Sequence, residues 1–203
     1  MKKTIAVIAA LLLGVAVLVG AAFKAKDKAD YGRMLFVGDS RTVDIFTAEN
    51  DGVLGEVHDG IMVYAHDYDT YKAMNEYINE YGVDNFDTLV TWMGCNSYGD
   101  FSHYQECYDD LLARGKKIIV CTIGPTADEY LASDFDRENY TNEREIQFNN
   151  SLTDWAKKKG VKVIDLYSYI SKSSTVAPSP ADGIHYYPQP TTELWNYILE
   201  NLK

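Results

Sequence analysis

Cysteine is scarce in this chain: Cys95, Cys107 and Cys121 are the three present in 203 residues. They are too few for a disulfide scaffold and lack metal-ligand spacing, so at most one bridge can form and no metal is expected. Cys95 and Cys121 fall in apolar, strand-like runs, where an inert buried thiol is the common case. Positive charge is also short, with 19 Lys and Arg against 30 Asp and Glu and a formal net charge of -11. Such a surface repels phosphate backbones and argues against a nucleic-acid partner. No internal repeat or low-complexity linker breaks the chain, whose length suits one ordinary domain with a real core. Tyrosine, by contrast, is abundant at 16 residues. In an exported protein exposed Tyr stacks on sugars; otherwise these rings are core and surface filler.

The longest apolar run lies at the N-terminus. Residues 5–23 (IAVIAALLLGVAVLVGAAF) carry no charge, follow Lys2 and Lys3, and precede Lys24, Lys26 and Lys28. That length stands at the border between a signal peptide and a membrane-spanning helix. The small residues Val19-Gly20-Ala21 favour cleavage; the length favours a retained anchor. A short basic start normally stays inside, which places the following domain outside the cytoplasm. No cysteine follows the run, so a lipid-modified cysteine anchor is not available. The division expected is therefore 1–29 as signal peptide or anchor with a short linker, and 30–203 as the folded domain.

Beyond the leader, short β-branched runs at 34–37, 61–64, 88–93, 117–122 and 161–166 alternate with helical patterns at 68–81, 102–113, 142–159 and 191–202. Gly115 and Gly160 stand where helix ends are expected. Strand and helix in alternation imply an α/β domain with a parallel sheet and helices on both faces. In such sheets, sites form beyond the carboxyl ends of the strands. The polar residues at those ends are Gly38-Asp39-Ser40, Gly94-Cys95-Asn96 and Thr122-Ile123-Gly124-Pro125. One histidine stands in a tight carboxylate context: His185 follows Asp182 by three residues in "ADGIHYYP". A parallel sheet can bring both ends of the chain to one edge, and a Ser-His-Asp set is defined by geometry rather than by chain order.

With these blocks the chain resembles the SGNH, or GDSL-type, hydrolases. That family carries a nucleophilic serine in a GDS block after the first strand, an oxyanion-hole glycine in a second block, an Asn in a G-x-N block, and a D-x-x-H block near the C-terminus. Gly38-Asp39-Ser40, Gly94-Cys95-Asn96 and Asp182-Gly183-Ile184-His185 match three of the four, in family order. The alternation and the resemblance together imply a three-layer α/β/α, flavodoxin-like domain with a parallel sheet of about five strands. The resemblance implies Ser40 as nucleophile, His185 as general base and Asp182 as its partner, with the Ser40 amide and the Asn96 side chain receiving the oxyanion. It requires no cofactor and no metal. Asp39 is read as shaping the turn, and Arg41 as pairing with a carboxylate or meeting substrate.

The second block departs from the family. After the second strand stand Ala65, His66 and Asp67 where a glycine is sought, and Gly60 precedes that strand, at the wrong edge. The missing donor is expected from a non-glycine amide around Asp67. His58, His66 and His103 lie in polar surroundings and are read as solvated or turn residues. His66-Asp67 and His58-Asp59 could also hint at a metallophosphoesterase, but no aspartate-x-histidine pair precedes the GD block. The resulting expectation is an extracytoplasmic serine esterase acting on small acyl groups, acetyl above all, of a glycan or other small ester. An O-acyltransferase sharing the triad and a non-catalytic glycan-binding protein are the alternatives. Membrane association is expected through the N-terminal segment if it is uncleaved.

Overall fold

A computed structural model describes residues 30–203. The expected leader lies outside the described residues; among those described, no helix is long and apolar enough to cross a membrane. Strand β1 (Met34–Gly38) runs into helix α1 (Ser40–Phe46), and β2 (Gly52–His58) and β3 (Ile61–His66) form a hairpin. Then come α2 (Tyr71–Tyr81), β4 (Thr88–Trp92), α3 (Ser102–Ala113), β5 (Lys117–Cys121), α4 (Asp134–Asn139) and α5 (Asn142–Lys159). The chain continues through β6 (Lys162–Ile164), α6 (Leu166–Lys172), the short pair β7 (Ala177–Pro178) and β8 (Tyr186–Tyr187), and α7 (Thr192–Leu202).

The main sheet has six strands in the order β2-β3-β1-β4-β5-β6. All pairings are parallel except that of β2 with β3. With β2 set aside, the five parallel strands run 2-1-3-4-5 in their own chain order, which is the flavodoxin-like arrangement. The expected sheet is therefore present, with one antiparallel edge strand added. That strand escapes the hydrophobic pattern because it is solvated along most of its length, with Leu54 and Val57 exposed, and its register shifts between Leu54 and Glu56. A two-residue Asp59-Gly60 turn, both residues at positive φ, joins it to β3.

Alternation along the strands divides the core between two faces. Leu35, Val37, Leu89, Ile118 and Val120 pack with Met74, Ile78, Tyr104, Tyr108, Phe148 and Trp155 from α2, α3 and α5. Phe36, Val63, Val90, Ile119 and Ile164 face Val43, Ile170, Leu194, Trp195 and Ile198 from α1, α6 and α7. Those strands are buried on both sides, as a helix-covered parallel sheet requires. All three cysteines are free, Cys95 and Cys121 buried and Cys107 half-buried.

Candidate active site

The carboxyl ends of β1 and β4 converge on one edge, and the first of them turns sharply. A Cβ on Gly38 would lie 1.8 Å from Thr42 Oγ1, so only glycine lets α1 begin this close to its strand. Asp39 caps that helix, its buried carboxylate accepting from the Arg41 amide at 3.2 Å. Burial lifts the Asp39 carboxyl to about 6 against the pull of Arg41. Ser40 is the first residue of α1, a position where amides have no intrahelical partner.

The C-terminal segment brings the base to this turn. His185 Nε2 lies 3.0 Å from Ser40 Oγ, and His185 Nδ1 lies 2.8 Å from Asp182 Oδ2. The other oxygen of Asp182 accepts from the amides of Ile184 at 2.8 Å and His185 at 3.0 Å, so one carboxylate both shapes the loop and orients the ring. Burial alone would raise the Asp182 pKa; the bonds from His185 and the two amides outweigh it and bring it down to about 2. For His185 burial disfavours the charged ring, but the Asp182 hydrogen bond and the charges of Asp44 and Asp182 raise its pKa above the ordinary 6.5.

Asn96 follows Gly94, which sits at φ 121° with Phe148 packed where a side chain would go: an added Cβ would be 2.3 Å from that ring. The Asn96 amide is held at both ends. Its Nδ2 donates to the Asp69 carbonyl at 2.9 Å, and its Oδ1 accepts from the Tyr140 hydroxyl at 3.0 Å. One Nδ2 hydrogen remains for a ligand, because an amide nitrogen has two.

The second-block donor is not Asp67 itself, whose amide donates to the Asp51 carbonyl at 2.9 Å. The next residue, Tyr68, holds the left-handed backbone conformation at φ 63° with its side chain 81% exposed. A non-glycine residue thus takes the strained geometry that glycine takes without cost. Arg41 meets no substrate: it is 1% exposed and pairs with the buried Glu145 at 3.3 Å, the carboxylate half of the reading. His58 stacks on Phe46, and His103 on Tyr71. His66 Nδ1 donates to the Asp67 carbonyl at 3.0 Å, and its Nε2 lies 3.7 Å from Asp51 Oδ2.

Two residues that hold the site carry no motif: Tyr140, on Asn96, and Glu145, on Arg41. Glu145 alone left a trace, since it shares a helical face with Phe148, Asn149 and Leu152, where a lone charge is out of place. For Tyr140 the measurable consequence is specific. Removing its hydroxyl in Tyr140→Phe frees the Asn96 amide to rotate, and the oxyanion contribution of Asn96 should fall by a factor of about 10, compared with 10²–10³ for Asn96→Ala. Steady-state kinetics on an activated ester reads both.

A cleft of about 500 Å³ opens beside His185, lined by Asp44, Asp51, Asp67, Asp182 and Tyr187 among others. Among the described residues, no Lys or Arg lines it.

These features define a class. The chain has the fold of the SGNH, or GDSL-type, hydrolases. No protein-family model matches the sequence, and no curated protein does. Among solved structures, it is similar to a lipase/acylhydrolase from Enterococcus faecalis, at 16% identity and TM-score 0.60, over 83% of this chain and 94% of that one. A GDSL-like lipase from Bacteroides thetaiotaomicron matches at 14% identity and TM-score 0.61, over 92% and 94%. An acetyl xylan esterase matches at 14% identity and TM-score 0.55, over 82% and 98%.

Proposed function

We propose that the protein is a serine esterase acting outside the cytoplasm, which removes small acyl groups, acetyl foremost, from a glycan or other small ester. The observation that carries this reading is the continuous hydrogen-bonded series Ser40, His185, Asp182 at the sheet edge, with Asn96 on the same edge. His185 takes the Ser40 proton as Oγ attacks the ester carbonyl, and Asp182 stabilises the imidazolium that forms. The Ser40 amide, the Asn96 Nδ2 and the Tyr68 amide receive the oxyanion. The imidazolium then protonates the departing alkoxide, leaving acyl-Ser40; a water deprotonated by His185 attacks this ester and frees the acid. The acetyl xylan esterase among the similar folds and the uncharged leader at 5–23 support the acyl group and the location. The carboxylate-lined cleft supports neutral or cationic esters over anionic ones.

The test is hydrolysis of p-nitrophenyl acetate and p-nitrophenyl octanoate by the full-length protein across pH. Turnover faster on the acetate supports the reading, and absence of turnover together with absence of fluorophosphonate labelling removes it. Because the base must be neutral and its pKa is raised, kcat/KM should rise with pH through a midpoint above 6.5. Cell fractionation with N-terminal sequencing tests the location.

A further inference from the structure

Arg41 is the largest charged side chain sealed inside the protein, 1% exposed, and nothing in the acyl-transfer chemistry uses it. Its Nε donates to the carbonyl of Ile184 at 3.1 Å, and its Nη2 reaches Glu145 Oε1 at 3.3 Å and Thr126 Oγ1 at 3.4 Å. Its guanidinium carbon stands 5.4 Å from the Tyr186 ring centroid. Glu145, 2% exposed, lies close enough to the Cys95 thiol to oppose its ionisation.

The positions of these partners matter more than their number. Arg41 directly follows the nucleophile, Ile184 directly precedes the base, and Cys95 directly precedes Asn96. One ion pair therefore reaches the three loops that carry Ser40, Asn96 and His185, each at the residue beside the named one. Stability does not account for it, since well-packed apolar residues commonly replace buried ion pairs at no loss. What a planar guanidinium supplies instead is fixed direction for several acceptors at once.

We propose that Arg41 is a positioning residue, anchored by Glu145, that fixes the distance between Ser40 Oγ and His185 Nε2 by holding the Ile184 carbonyl. The proposal rests on the esterase reading for its kinetic readout only. His185 is already fixed through its own backbone, by Asp182 on its amide and by the Ser179 amide, 2.7 Å from its carbonyl. Arg41 is the restraint that comes from the nucleophile's side.

The experiment compares Arg41→Met, Arg41→Lys, Glu145→Gln and, as a control in the core away from the site, Ile78→Ala, all in the full-length protein. Each is measured for kcat, KM, thermal midpoint and hydrogen exchange over 179–187. Loss of positioning on the ångström scale costs roughly 10² in rate, so Arg41→Met should lose about that factor in kcat with KM within about threefold. Exchange over 179–187 should quicken in parallel. Arg41→Lys, which keeps the charge and one donor direction, should fold and recover part of the loss. Glu145→Gln keeps the bond to Ile184 and should lose less kcat than Arg41→Met. Ile78→Ala should lower the thermal midpoint without moving kcat or the exchange. Unchanged kcat and exchange in Arg41→Met, or equal losses in Ile78→Ala, would overturn the proposal. If the unmodified protein neither turns over esters nor labels, the esterase reading fails, and the exchange arm alone decides whether Arg41 holds the loop.

Discussion

Ser40→Ala is expected to abolish ester hydrolysis and fluorophosphonate labelling, and His185→Ala to cost nearly as much, about 10⁴-fold or more in kcat. The expectation follows from one contact. Ser40 Oγ is a weak nucleophile, and His185 Nε2 at 3.0 Å is the base placed to take its proton. The two losses should not add, because each residue acts only through the other. Neither change should unfold the protein: both side chains lie at the rim rather than in the core, and the turn around Ser40 is held by Gly38, Asp39 and Thr42. Circular dichroism and kinetics on the two single variants and the double variant check this. Substantial activity in Ser40→Ala would mean that hydrolysis proceeds without a serine intermediate.

Asp182→Asn should cost about 10⁴-fold while leaving the loop folded, in keeping with the wrong-tautomer effect known for such triads. The asymmetry arises from the two carboxylate oxygens. Oδ1 accepts from the Ile184 and His185 amides, a task an asparagine oxygen can continue. Oδ2 accepts from His185 Nδ1, and an amide nitrogen there would face the ring with a donor. The imidazole must then present Nε2–H to Ser40, which cannot take a proton. Loss of the charge also removes one cause of the raised His185 pKa, so the acid limb of the residual activity should move to lower pH. In the unmodified protein the carboxyl titrates near 2, so its contribution to stability is complete above about 4 and fades as the pH falls toward that value. A pH profile of the variant that keeps both its rate and its midpoint would contradict the assignment.

The parallel strands were legible because a strand buried on both faces writes a continuous apolar run, as in residues 34–37 and 88–93. Helices α3 and α5 were legible to the residue, since their periodicity is long and Gly160 closes α5 in the left-handed conformation. Strand β2 was not, because its side chains meet water on most positions and a bulge breaks the alternation; only the Asp59-Gly60 turn marks it. Helices α1, α4 and α6 are too short for a period to declare itself. Within the site, short blocks revealed Ser40, Asp182 and His185, which the fold joins by hydrogen bonds, and Asn96 on the same sheet edge. The groups that hold them did not show, because Tyr140 and Glu145 act across 44 and 104 residues of sequence, a distance at which no spacing rule operates.

The hydrogen bond between Ser40 and His185 spans 145 residues and joins the first helix of the domain to its last loop. During synthesis the nucleophile, the oxyanion amide and the first five strands of the sheet all exist long before the base does. A ribosome-bound chain stopped short of position 185 carries a serine with nothing to deprotonate it, however well its earlier part has folded. In the proposed esterase, hydrolytic competence would therefore arrive as a single late event, once the segment carrying His185 has closed onto Ser40.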